Sequence, residues 1–181
     1  MRINKLIQLK NKIMEQFKTA ELEVDQLSSI GLDIEKSKEL AKKLNVLLAS
    51  YSIFYQNVRG YHWNLKGGNF FELHLKFEEL YNMLSTKIDD IAERIVTIGY
   101  AANHNFSDYK LESKVLERIH VSNGIKASQD ILHSLDIIIS LQREIAHFSN
   151  EMKDDGTCVL MRDNIKVQEK LAWMYASFLE K

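Results

Sequence analysis

The chain contains no proline in its 181 residues. Nothing in it removes a backbone donor or clashes with a preceding turn, so long uninterrupted helices are open to it. Glycine is scarce too, with seven residues, which makes each one an informative breakpoint. A single cysteine, Cys158, excludes an intrachain disulfide and fits a reducing compartment. No run of about eighteen apolar residues exists to span a membrane. The N-terminus also lacks a continuous apolar signal region followed by a small-residue cleavage site. The expected location is therefore cytoplasmic. Net charge is -1, so no global basic field is available to attract nucleic acid.

What is present is ordinary for one globular domain: 45% hydrophobic and 27% charged residues. The charge is uneven, with Arg2, Lys5, Lys10, Lys12 and Lys18 against Glu15 at the start. Ile3, Leu6, Ile7, Ile13, Met14 and Phe17 recur there at near-helical spacing. Residues 1–29 thus read as a basic extension, either an amphipathic helix or a frayed arm. "SSIGLD" breaks that pattern, and Asp33 is placed to cap a helix starting at Ile34.

From Ile34 to about Leu65 the apolar positions Leu40, Leu44, Leu47, Tyr51, Phe54, Val58 and Tyr61 predict a first long helix. Gly67-Gly68 ends it, and Asn69 is a candidate cap for the next. The second carries Leu73, Phe77, Leu80, Leu84, Ile88, Ile91, Ile95 and Ile98, and stops at Gly99. Residues 100–124 read as a crossover with a short helical piece near 111–119. A third helix is expected from Ile125 to Met152. A fourth comes after the "DDGT" turn, with Leu160, Ile165, Leu171, Met174 and Phe178 as its apolar stripe. Four long helices, two short turns and one long crossover describe an all-α, ferritin-like four-helix bundle over residues 30–181.

On the second helix, His74, Glu78 and Asp89 each come one residue after a core position, which is about 100° of rotation. They therefore lie on the flank of the bundle. His74 with Glu78, and Asp89 with Glu93, are i,i+4 pairs, and each pair can grip one metal position. From Glu78 to Asp89 is a rise of about 16 Å, too far for both pairs to hold the same ion. A second copy of the helix, packed antiparallel across a two-fold axis, closes the gap: His74 and Glu78 of one chain meet Asp89 and Glu93 of the other. The crossing falls near Met83 and Leu84, where Asn82 and Ser85 permit close approach. His62, just before the glycine turn, is placed to add an imidazole. Such mixed ligands suit Fe(II) or Zn(II). The competing reading makes His62 a hydrogen-bonded core histidine. Glu78, Asp89 and Glu93 become a solvated face supported by Lys76, Lys87 and Arg94.

The stretches "FYQNVRGYHWNLKGGNFFELHLKFEELY" and "KIDDIAERIVTIG" closely resemble the Dps family of DNA-binding proteins from starved cells, which are miniature ferritins. The resemblance extends from about Ile30 to Leu179 and includes "FSDY" and "EKLAWMYASFL". It implies a hollow dodecamer of bundles with a ferroxidase centre at each two-fold interface. By motif, His62, His74 and Glu78 come from one subunit, and Asp89 and Glu93 from its neighbour. Together they hold up to two irons per site, cycling between Fe(II) and Fe(III). The position of Glu78 is Asp in some members, a departure that keeps the charge and lengthens the arm. The resemblance further implies that hydrogen peroxide is preferred as oxidant. Trp63, beside a ligand, is a candidate electron donor to reactive intermediates; as a plain reading it fills a helix–helix contact. Glu151, Asp154 and Asp155 are candidates for a three-fold pore, against the ordinary reading of solvated turn residues.

Two Glu-x-x-His motifs, Glu117–His120 and Glu144–His147, suggest a different site inside one bundle. The first falls in the crossover, and the fourth helix has no histidine, so the set is incomplete. DNA compaction by the basic N-terminus is the alternative function, resting on phosphate contacts multiplied over twelve subunits.

Overall fold

The computed structural model describes residues 28–180 together with Lys12. The segment read as a basic extension lies almost wholly outside the described residues. The helices are α1 (Ile34–Asn64), α2 (Phe70–Thr97), α3 (Phe106–Glu112), α4 (Gly124–Glu151) and α5 (Asp155–Phe178). Short turns make α1–α2 and α4–α5 two hairpins, and the crossover carrying α3 joins them. α1 packs against α2, α4 and α3.

The sequence signals that start and stop these helices operate as capping chemistry requires. The Asp33 side chain accepts from the backbone N–H of Lys36 at 2.8 Å, and Asn123 accepts from that of Lys126 at 2.9 Å. Asn69 stands at the N-cap of α2 but makes no side-chain cap bond there. The turn before it passes through Gly67 at φ +113°, a backbone conformation that costs any other residue steric strain.

The short crossover helix forms at Phe106–Glu112, earlier than the 111–119 expected from apolar spacing. Two causes shift it. Asn105 accepts from the N–H of Asp108 at 2.9 Å and starts the helix there. The chain after Glu112 is then tied to α1 by side chains. Ser50 Oγ accepts from Lys114 N–H at 3.0 Å. Asn57 accepts from Arg118 N–H and donates to the Leu116 carbonyl, both at 2.9 Å. Backbone groups satisfied by α1 are not free to form a helical turn. Because Asn57 is buried and makes both bonds, Asn57→Ala is expected to destabilise the protein by about 1–3 kcal/mol, read as a shift in the urea midpoint.

The stripe expected on α5 also differs. Met161, Asn164, Gln168 and Tyr175 are buried, whereas Met174 and Phe178 remain exposed. The inward face of α5 is polar because its partners are polar. Tyr51 O–H donates to Gln142 Oε1 at 3.1 Å, Gln142 Nε2 donates to Gln168 Oε1 at 2.6 Å, and Gln168 Nε2 donates back to the Tyr51 oxygen. Three neutral side chains from α1, α4 and α5 thus close a ring at the heart of the bundle. Burial pushes the Tyr51 phenol well above its ordinary range, which keeps it a donor.

Candidate metal centre

The turn at 65–69 brings the last turn of α1 against the start of α2, and with it His62 against His74. Their rings stack with centroids 3.8 Å apart and planes 17° from parallel. Each Nδ1 bonds to the other residue's backbone carbonyl, at 2.8 Å from His62 and 3.0 Å from His74. A carbonyl oxygen only accepts, so both Nδ1 atoms carry a proton, and in the neutral ring the lone pair is on Nε2. This is how metal-ligating histidines are held. His62 is thus a buried, hydrogen-bonded histidine, and its Nδ1, not its Nε2, makes that bond.

Glu78 lies one turn beyond His74, half-buried, and accepts from the Tyr81 hydroxyl at 3.4 Å. Burial and the Glu78 charge push the Tyr81 phenol above its usual value, so Tyr81 stays the donor. Asp89 and Glu93 sit farther along α2, away from His74 and Glu78. Among the described residues no three His, Cys, Asp or Glu side chains converge on one point. The two candidate pairs are thus separated along a single helix. Asn82 and Ser85, between them, are exposed, while Leu84 belongs to the core.

The cations thought to support a solvated face are engaged elsewhere. Lys76 pairs with Glu79 at 2.7 Å, Lys87 with Asp90 at 3.1 Å, and Arg94 with Asp154 at 2.5 Å. Each chooses the carboxylate next to a candidate ligand, or one on another element. Among the described residues, no lysine or arginine forms an ion pair with Glu78, Asp89 or Glu93. Two lone-pair-bearing imidazoles with carboxylates free of counter-cations form a donor set that fits Fe(II).

The remaining candidates separate. Trp63 is 57% exposed, with the Arg59 guanidinium 4.5 Å from its ring centre. Of the proposed pore acids, Glu151 and Asp155 are exposed. Asp154, the third of them, is buried, caps α5 through the Thr157 N–H at 3.0 Å, and is bound by Arg94. Gly156 leaves room for that guanidinium, since a Cβ there would lie 3.1 Å from Arg94 Nη1. Glu117 pairs with Lys110 at 3.0 Å, and exposed His147 stands 3.5 Å from Glu151. Neither Glu-x-x-His motif builds an internal site. The motif pattern passed over Tyr81, although its i,i+3 spacing from Glu78 was a signal, and it did not give Arg94 its structural role.

The profile described as "Ferritin-like domain" matches residues 41–181. An uncharacterized protein of Haemophilus influenzae is 51% identical over 82% of this chain and 92% of its own length. The DNA protection during starvation protein of Porphyromonas gingivalis is 35% identical over 86% of this chain and 98% of its own. Among solved structures, a Dps protein from Vibrio cholerae O1 is described as a member of a broad superfamily of ferritin-like diiron-carboxylate proteins. It superposes with a TM-score of 0.84 at 44% identity, covering 85% of this chain and 97% of the other. Sequence and bundle agree: the chain belongs to the Dps family of ferritin-like proteins.

Proposed function

We propose that this protein is an iron-sequestering ferroxidase that oxidises Fe(II) at sites shared between two copies of the chain and stores the ferric product inside a hollow homo-oligomeric shell, a dodecamer. The observation that carries the reading is the His62–His74 pair, whose Nδ1 atoms are both taken up by backbone carbonyls, so that Nε2 is the nitrogen each ring would offer an ion. The cytoplasm is its expected setting, and protection from peroxide its benefit.

His62, His74 and Glu78 of one subunit and Asp89 and Glu93 of its two-fold neighbour would hold Fe(II) as substrate. Carboxylates stabilise Fe(III) more than Fe(II), so binding there favours loss of an electron. Two Fe(II) ions side by side can deliver two electrons to one hydrogen peroxide, which takes up two protons and leaves as two waters. Single-electron cleavage to hydroxyl radical is thereby bypassed. The chain's own task is positional: the reciprocal backbone bonds hold both imidazoles in place before any ion arrives.

The test is anaerobic oxidation of Fe(II) by hydrogen peroxide, tracked by the near-ultraviolet absorbance of the ferric product. Wild type is expected to consume one peroxide per two Fe(II). His62→Ala is expected to slow the initial rate at least about tenfold, since loss of a ligand should exceed loss of an outer partner. A variant that keeps the wild-type rate and stoichiometry would remove the histidine pair from the chemistry. DNA compaction rests on residues 2–18, which apart from Lys12 lie outside the described residues.

A further inference from the structure

One wall of the candidate centre is built by a residue that no ligand pattern selects. Tyr81 lies three positions after Glu78, which puts both on one face of α2. Its hydroxyl is the donor to Glu78 Oε1 at 3.4 Å, because the carboxylate only accepts. Its ring meets the His62 imidazole of α1 edge-on, with centroids 5.3 Å apart and planes at 79°. Tyr55, also on α1, meets Tyr81 edge-on at 6.2 Å and 82°, and Arg59 lies over the Tyr55 ring at 5.3 Å. One side chain therefore touches an imidazole donor and a carboxylate donor carried by two different helices, and is itself held in place from α1.

We propose that Tyr81 is a positioning residue of the metal centre, fixing the Glu78 carboxylate through its hydroxyl and bracing the His62 ring through its edge, so that both face a divalent cation before it binds. This rests on the ferroxidase-site reading and adds to it a determinant of cation geometry. His62 and His74 are held by backbone carbonyls, whereas among the described residues the Glu78 carboxylate has only the Tyr81 hydroxyl. Lys76, the nearest cation in sequence, is committed to Glu79. Without Tyr81 the Glu78 arm turns freely about its side-chain bonds. Outer partners of this kind typically change metal affinity about 10–100-fold, and an O–H···O contact longer than the usual range belongs at the lower end.

The experiment is anaerobic titration of the assembled, metal-free protein with Co(II) alone, read by its ligand-field absorption. Wild type, Tyr81→Phe, Tyr81→Leu and His62→Ala are compared. Tyr81→Phe keeps the edge packing and removes only the hydroxyl. It is expected to weaken Co(II) binding about tenfold and to shift the ligand-field bands, with the melting temperature of the metal-free protein unchanged. Tyr81→Leu loses the brace as well and is expected to bind more weakly still. If Tyr81→Phe binds with wild-type affinity and identical bands while His62→Ala does not, the positioning role is wrong and the site stands. If His62→Ala also binds as wild type, the site itself is wrong. A loss of affinity matched by a fall in melting temperature, with bands unmoved, would make Tyr81 a packing residue and overturn the proposal. Should Tyr81→Leu fail to fold, Tyr81→Phe decides alone.

Discussion

Shells reassembled from equal amounts of His62→Ala and Asp89→Ala chains are expected to recover about a quarter of the wild-type rate of iron oxidation, although each variant alone is slow. The fraction comes from two-fold symmetry. On the proposed arrangement a dimer has two sites, each taking its histidines from one chain and Asp89 from the other. Random pairing makes about half of the dimers mixed, and in a mixed dimer the two lesions fall on the same site and leave the second intact. The physical basis is the rise of about 16 Å between Glu78 and Asp89, which no side chain spans within one helix. The rate of the mixture, measured beside each variant after the same dissociation and reassembly, decides the matter. A site contained in one chain would give a mixture no faster than the average of its parts.

Asp154→Ala is expected to destabilise the fold by about 3–5 kcal/mol, more than any surface acid on the same turn. Three interactions disappear together. Arg94 loses the partner at 2.5 Å, the Thr157 hydroxyl loses an acceptor at 2.6 Å, and α5 loses its cap. The Arg94 side chain is only 16% exposed, so its charge is left poorly solvated. Burial alone would push the Asp154 carboxyl up. The Arg94 and Thr157 hydrogen bonds and the Arg94 charge outweigh burial and hold the carboxyl below its ordinary value. A depressed folded-state pKa contributes stability that is present above the unfolded value, about 3.9, and lost as pH falls through the folded one. The gap between wild type and Asp154→Ala in urea midpoint should therefore hold near neutrality and narrow in acid below about pH 4. A gap that stayed constant through the acid range would show that the carboxylate's charge is not what stabilises the turn.

Much of the architecture was readable in the chain because helices advertise themselves locally. Without proline, the stripes of α1, α2 and α4 run unbroken, and Asp33, Gly67 and Asn123 mark their limits by chemistry that acts within a few residues. The failures are non-local. α3 moved because Ser50 and Asn57, far away on α1, took the backbone groups of the segment expected to be helical. The inward face of α5 was misread because Gln168 is satisfied by Tyr51 and Gln142, and a polar residue paired inside the protein looks in sequence like one in water. The site divides the same way. The i,i+4 spacing of His74 with Glu78 is a property of one helix and was visible. The reciprocal His62–His74 bonds need two helices to meet. Asp154 read as a candidate pore acid or a solvated turn acid, and its ion pair was not visible because Arg94 is 60 residues away.

Tyr51, Gln142 and Gln168 satisfy one another without the help of an ion, so this part of the core does not need a cation to close. A protein whose core is closed by a cation gains folding free energy from it and comes apart when a chelator takes it away. Here the ring of three side chains closes on its own, and the proposed Fe(II) ligands lie apart from it, on the flank of the bundle. On the proposed reading, withdrawing iron removes the stabilisation its binding adds at the shared sites and leaves the core hydrogen bonds of each bundle in place.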